Sequence, residues 1–178
     1  MIHYYCGDPN CGKSKCAEDE LRKVHGSILY VGTLPNIQLY QETIRRHQLR
    51  RPATWELYTC SGDPHVDISY LNDHTSQWNG MLIDGLAYYI QRALYYYAPD
   101  NNCLLAFHSF LERASSLYLR LYLVDQPVGH APPAVRRICG LIHEEIYDYS
   151  EKLYYVADGT AIEVNNDFLR KRDGVNDD

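Results

Sequence analysis

No Cys-x-x-Cys pair occurs among the six cysteines, which stand at positions 6, 11, 16, 60, 103 and 139. Zinc sites and disulfide frameworks need tighter or paired spacing, so the pattern predicts reduced thiols in a cytoplasmic protein. No apolar run approaches the length that spans a membrane, and the first residues lack the charged-then-apolar layout of a signal peptide. Positive charge is also short. The 17 Lys and Arg against 23 Asp and Glu leave a net −6, which gives no global electrostatic support for a nucleic-acid partner. Phenylalanine is scarce, at 3 residues, while tyrosine reaches 17, much of it in doublets and in the triplet 95–97. Such runs suit packing at the edge of a core better than an aromatic ligand platform. The Asn-Lys-x-Asp guanine-reading motif is missing, and no Asp-x-x-Gly switch follows a strand, which argues against a GTPase switch protein.

What is present fits an ordinary globular chain. Hydrophobic residues make up 46% and charged residues 22% of 178 positions, enough for a sizeable core. Apolar runs alternate with helical patterns, as in a βαβ protein. Strands are expected at 2–6, 28–31, 55–60, 81–83 and 119–124, with a closing pair at 153–156 and 161–164 around Asp158-Gly159. Helices are expected at 13–24, 37–49, 86–97, 103–117 and 134–149. The polar stretch 62–79 reads as loop or short helix, and 127–133 as loop. The predicted architecture is α/β and P-loop NTPase-like: a mostly parallel sheet flanked by helices, with a closing β-hairpin near the C-terminus. Residues 1–165 are expected to form a single nucleotide-binding domain and 166–178 a frayed polar tail.

The strongest signal is Gly7-Asp8-Pro9-Asn10-Cys11-Gly12-Lys13-Ser14, which satisfies G-x-x-x-x-G-K-[ST] at every fixed position. Glycines let successive N–H groups turn inward around phosphate oxygens, and the helix that follows offers its positive end to the same anion. Lys13 is expected on the β and γ phosphates of ATP or GTP and the Ser14 hydroxyl on Mg²⁺. Asp84, closing the apolar run Met81-Leu82-Ile83, is the expected second metal contact. Arg45, Arg46, Arg50 and Arg51 form one candidate phosphate clamp and Arg136-Arg137 another; a solvated helix end accounts for either group equally well.

Several segments together resemble the adenosylcobinamide kinase / adenosylcobinamide-phosphate guanylyltransferase family over about residues 1–164. The loop with Ala17-Glu18 looks like the family's opening, and Leu29-Tyr30-Val31-Gly32-Thr33 is similar to its second strand, which ends in a nucleotide-contacting Thr. Ile44 to Trp55 resembles its histidine-containing helix and the Arg-Pro-x-x-Trp that follows. Leu82-Ile83-Asp84-Gly85-Leu86 looks like its Leu-Leu-Asp-Cys-Leu, while Val128-Gly129, Gly140 and Gly159 also find counterparts. The resemblance implies a corrinoid substrate, phosphorylation of its side-chain hydroxyl, GMP transfer onto that phosphate, and a homotrimer. It also implies a nucleotide contact at Thr33, while Arg50 and Arg51 of the candidate clamp are the expected phosphate contacts.

The departures bear on the second activity. The family carries two adjacent histidines, the first of them guanylylated, and here the matching pair is Arg46-His47. A guanidinium has no free lone pair to attack phosphorus, so only His47 remains as nucleophile, although a solvent-facing helix histidine is the simpler expectation for it. Thr59 stands where a nucleotide-contacting Glu is usual. Gln126-Pro127-Val128-Gly129 replaces Asn-Glu-Val-Gly, and Gly140 to Glu144, with His143, replaces Gly-x-x-Asn-Gln. Guanylyl transfer is therefore less expected than the kinase step. Another small-molecule or nucleotide kinase, and a nucleotide-binding paralogue without turnover, stay open.

Overall fold

The structure, a computed structural model, describes residues 1–96, 101–125 and 133–173. Seven strands form one sheet: β1 Ile2–Gly7, β2 Ile28–Gly32, β3 Glu56–Thr59, β4 Gly80–Asp84, β5 Arg120–Val124, β6 Lys152–Ala157 and β7 Thr160–Val164. Their order is β3-β2-β4-β5-β1-β6-β7. All neighbours are parallel except β6 and β7, which form the antiparallel hairpin expected around Asp158-Gly159. Parallel strands are covered on both faces, which is why β1, β4 and β5 read as continuous apolar runs rather than alternating ones.

Helices α1 Lys13–Leu21, α2 Gln41–Arg50, α3 Pro64–His74, α4 Leu86–Tyr96, α5 Asn101–Ser116, α6 Pro133–Tyr149 and α7 Asn166–Asp173 flank the sheet. Strand pleating divides the core in two. Ile2, Tyr4, Leu29, Val31, Met81, Ile83, Leu121 and Leu123 face one way, against α3, α4, α5 and α6. Tyr5, Ile28, Tyr30, Leu82, Tyr122 and Val124 face the other way, against Ala17 and Leu21 of α1. Tyrosines pack on both faces; on the second, Tyr5 stacks on Tyr154 with centroids 4.7 Å apart and on Tyr122 at 6.3 Å. In the strand doublets Tyr4-Tyr5 and Tyr154-Tyr155 adjacent residues thus pack on opposite faces of the sheet.

One segment decides between the two readings the sequence left open, and another differs from the expectation. Most of 62–79 is helical, an 11-residue α3 started by Asp63, whose carboxylate accepts from the backbone N–H of His65 and Val66. Pro64 follows at the first turn, so of the two expectations for this stretch the helix holds. Of the segment 166–178 expected to fray as a tail, residues 166–173 form α7, where Leu169 is fully buried and Arg170 pairs with Glu144 and Asp148. Leu169 in the core and Phe168 against the Tyr155 ring dock this otherwise polar stretch. The expected loop at 127–133, with Val128-Gly129, lies outside the described residues up to 132. Among the described residues no helix is long and apolar enough to cross a membrane.

Candidate functional site

The site lies at the carboxyl ends of the parallel strands. Residues 7–12 leave β1 and turn into α1 as the sequence predicts. Gly7 and Gly12 have φ of +149° and +99°, and a side chain on Gly7 would collide with the Val156 carbonyl. Asn10 takes a left-handed conformation at φ 62°, which Asn tolerates better than most residues. The β6–β7 turn braces the loop from behind: Gly159 N–H donates to the Cys11 carbonyl at 2.8 Å, and a Cβ on Gly12 would stand 3.1 Å from Gly159 Cα. Asp8 is exposed and meets Arg172 of α7 at 3.5 Å.

Lys13 is buried, its ammonium donating to the carbonyls of Gly7 at 2.9 Å and Asp8 at 2.6 Å. It therefore folds back over the loop whose ligand it is expected to neutralise. Ser14 Oγ donates to Asp84 Oδ1 at 2.8 Å, which joins the two expected metal contacts across the sheet, since β5 separates β1 from β4. The other carboxylate oxygen, Oδ2, accepts from the Tyr30 hydroxyl at 2.5 Å and lies 2.7 Å from His47 Nδ1. The Tyr30 hydroxyl is itself 2.8 Å from that nitrogen. Burial pushes the Asp84 pKa up, but the hydrogen bond and charge of His47, with the hydroxyls of Tyr30 and Ser14, outweigh it and hold the carboxyl below its ordinary value. Burial, and then the Asp84 charge, drive the Tyr30 hydroxyl well above its own ordinary value, so it stays a donor.

An ionised carboxylate only accepts, so the proton between Asp84 and His47 is assigned to Nδ1. A neutral imidazole held this way keeps its lone pair on Nε2. His47 also lines the cleft, with 18% of its side chain exposed. This corrects the expectation of a solvent-facing helix histidine.

Thr33 is buried and its hydroxyl donates to the carbonyls of Asp84 and Gly85, at 2.6 and 2.8 Å. It bears on a ligand by fixing the turn that carries Asp84. Arg50 is engaged as well: Nε and a terminal nitrogen each meet a carboxylate oxygen of buried Glu18 at 3.0 Å, a bidentate pair that fastens α2 to α1. Arg51 stacks over the Tyr30 ring at 4.2 Å, and its Nε is buried with no hydrogen-bond partner. Of the arginines proposed as a clamp, Arg46, Arg50 and Arg51 line the cleft. Arg45 pairs with Glu42 in solvent, and Arg136 and Arg137 are exposed on α6.

Lys13, Ser14, Tyr30, Thr33, His47, Arg50, Arg51 and Asp84 line a cleft of ≈ 820 Å³, together with Pro9, Asn10 and Gly12 of the loop. Sequence reasoning missed Tyr30 and Glu18 as participants. The signals were there: Glu18 stands one helical turn after Ser14 on α1, and Tyr30 alternates with Ile28 onto the α1 face. It also missed Asp125, fully buried at the end of β5, which accepts from the Ala87 N–H at 2.7 Å and meets His143 Nε2 at 2.8 Å. Ser14 and Asp84 supply a hydroxyl and a carboxylate oxygen, hard donors with few protein ligands, and this set fits Mg²⁺ sharing its shell with phosphates and water. Glu18, His47 and Asp84 each bring one ligand atom within 4.8 Å of the others, but Arg50 already neutralises Glu18.

Comparison with known proteins agrees with this layout. A KaiC-like protein from the hyperthermophilic archaeon Pyrococcus horikoshii OT3 superposes with a TM-score of 0.51 at 9% sequence identity, covering 87% of this chain and 70% of that one. At that identity the likeness speaks for the fold. Among curated proteins no sequence matches this chain significantly. The family model described as cobinamide kinase / cobinamide phosphate guanyltransferase matches residues 4–164, from the first strand through the closing hairpin, and the chain belongs to that family.

Proposed function

We propose that this chain transfers a phosphoryl group from ATP or GTP to the side-chain hydroxyl of a corrinoid, as a step of cobalamin biosynthesis. The observation that carries the reading is the Ser14–Asp84 contact at 2.8 Å beside Lys13, in a chain of this family. The acceptor oxygen forms a bond to the γ phosphorus as the bond to the β–γ bridging oxygen breaks. The nucleoside diphosphate leaves with that electron pair, and the acceptor proton passes to solvent. Lys13 exchanges its two loop carbonyls for phosphate oxygens, and the Arg51 guanidinium, stacked over Tyr30 at the cleft wall, adds positive charge. Mg²⁺, held by Ser14 and Asp84, would neutralise charge that builds on the phosphates. Positioning and neutralisation suffice for this chemistry, so no protein nucleophile is needed.

The orientation of His47 favours a second activity, guanylyl transfer. Nε2 attacks the α phosphorus of GTP, an N–P bond forms, and pyrophosphate leaves. A phosphate oxygen of the corrinoid ester then takes the guanylyl group as the N–P bond breaks. Arg46 in place of a histidine leaves this route open, because His47 rather than residue 46 touches Asp84.

The test is product analysis of the purified protein with adenosylcobinamide, Mg²⁺ and either ATP or GTP. A phosphorylated corrinoid is expected with at least one triphosphate. A GMP mass adduct on the protein, lost in His47→Ala, is expected with GTP alone. Nucleotide binding with neither product would sink the transferase reading and leave the paralogue without turnover.

A further inference from the structure

Asp125 is a buried charge that the phosphate chemistry above does not use. It stands at the tip of β5 and lines the cleft, and β5 lies between β1, which feeds the loop, and β4, which ends in Asp84. Its backbone N–H donates to the Tyr5 carbonyl of β1 at 2.9 Å, while the Gly85 N–H donates to the carbonyl of neighbouring Val124 at 3.1 Å. The side chain reaches the opposite way. Oδ1 accepts from the Ala87 N–H at 2.7 Å, in the first turn of α4. That turn needs an outside partner. Gly85 precedes the helix with φ +85°, and a Cβ there would stand 2.8 Å from the Thr33 hydroxyl, so glycine is required and offers no capping side chain. The Asp125 carboxylate caps α4 from another strand, and its charge suits the positive end of the helix. His143 of α6 meets the second oxygen, Nε2 to Oδ2 at 2.8 Å, with its ring stacked along Tyr147. An ionised carboxylate only accepts, so that nitrogen carries the proton.

We infer that Asp125 is a positioning residue for the metal: it sets the reach from Ser14 to Asp84 by tying the start of α4 to the strand between them, and His143 holds its carboxylate in place. The inference rests on the reading that Ser14 and Asp84 hold Mg²⁺, and it adds the residues that keep the two at their spacing. Asp84 ends its strand, so the turn that follows decides where its carboxylate points. Thr33 fixes that turn from the β2 flank, through the carbonyls of Asp84 and Gly85. Asp125 fixes it from the β5 flank, through Ala87. Mg²⁺ demands near-ideal octahedral geometry, so a small displacement of one protein ligand weakens its binding. Asp125 acts through Asp84 and not as a ligand.

The experiment titrates non-hydrolysable ATP and GTP analogues into the full chain, once with EDTA and once with Mg²⁺. The ratio of the two affinities isolates the metal's share of binding. Asp125→Ala removes the cap, and the ratio is expected to fall about tenfold, while affinity in EDTA stays within about twofold. Asp125→Asn keeps the shape and a neutral acceptor, so its ratio is expected to fall only about threefold. A thermal melt checks folding, and if Asp125→Ala does not melt cooperatively, the isosteric Asp125→Asn decides alone. A ratio equal to the wild type's in every variant that folds overturns the inference and leaves the Mg²⁺ reading of Ser14 and Asp84 standing. Affinities that fall equally with and without Mg²⁺ give Asp125 a role in the fold alone and overturn it too. No gain from Mg²⁺ in the wild type overturns the inference together with that reading.

Discussion

At the scale of single residues, Asp84 organises the site because its two oxygens serve different neighbours, Ser14 on one and the Tyr30–His47 pair on the other. Tyr30→Phe keeps the ring under Arg51 and removes the hydroxyl, so the triphosphate should still bind. Turnover should fall about 10- to 100-fold, as expected for losing a hydrogen bond to a charged group. A fall in triphosphate affinity of similar size would contradict this division of roles. Lys13→Ala should abolish triphosphate binding, which a titration checks directly. His3 supplies a pH test away from the site. Both its ring nitrogens are buried without a hydrogen-bond partner, and burial lowers its pKa from the ordinary 6.5. The unfolded chain then binds the extra proton first, so this residue's effect is absent at high pH and destabilises as pH falls through about 6.5. Denaturant unfolding from pH 8 to pH 5 should show that decline, and His3→Leu should flatten it.

At the scale of elements, α1 and α2 are held by different physics. The first buries Ala17 and Leu21 against the sheet, whereas α2 buries no residue and is tied by Arg50 to Glu18, by His47 to Asp84 and by Arg51 over Tyr30. A helix bound by polar contacts to the cleft depends on the charge state of that cleft, which its own sequence does not reveal. The last helix shows the reverse case. Seven of the eight residues of α7 are polar or partly exposed, yet fully buried Leu169 joins the main core and Arg172 reaches both Tyr155 and Asp8. Leu169→Ala should cost about 2–4 kcal/mol of stability, measured by denaturant unfolding. A change below about 0.5 kcal/mol, as for a surface site, would restore the picture of a frayed tail.

At the scale of the molecule, ligand binding and folding are linked. The loop is gripped from three sides, by β1 before it, α1 after it and the Asp158-Gly159 turn behind it, so a bound triphosphate rests on the folded state alone. With Mg²⁺ and triphosphate at a hundred times Kd, the chain should gain about 2.7 kcal/mol and melt several degrees higher. The gain should vanish in Lys13→Ala; an equal shift in that variant would place binding elsewhere. Much of this was legible in the sequence: the parallel sheet from its continuous apolar runs, the loop from its glycines and Lys13-Ser14, and Asp84 from its place at a strand end. These are local patterns, in which backbone sterics and hydrophobic periodicity act over a few residues. The sequence did not decide that Asp84 faces Ser14 across an intervening strand, that Tyr30 joins His47 to it, or that Arg50 is taken up by Glu18 while Arg51 stacks on Tyr30. Those contacts link positions 14, 30, 47 and 84, and strand order and helix placement alone bring such distant side chains within hydrogen-bond range.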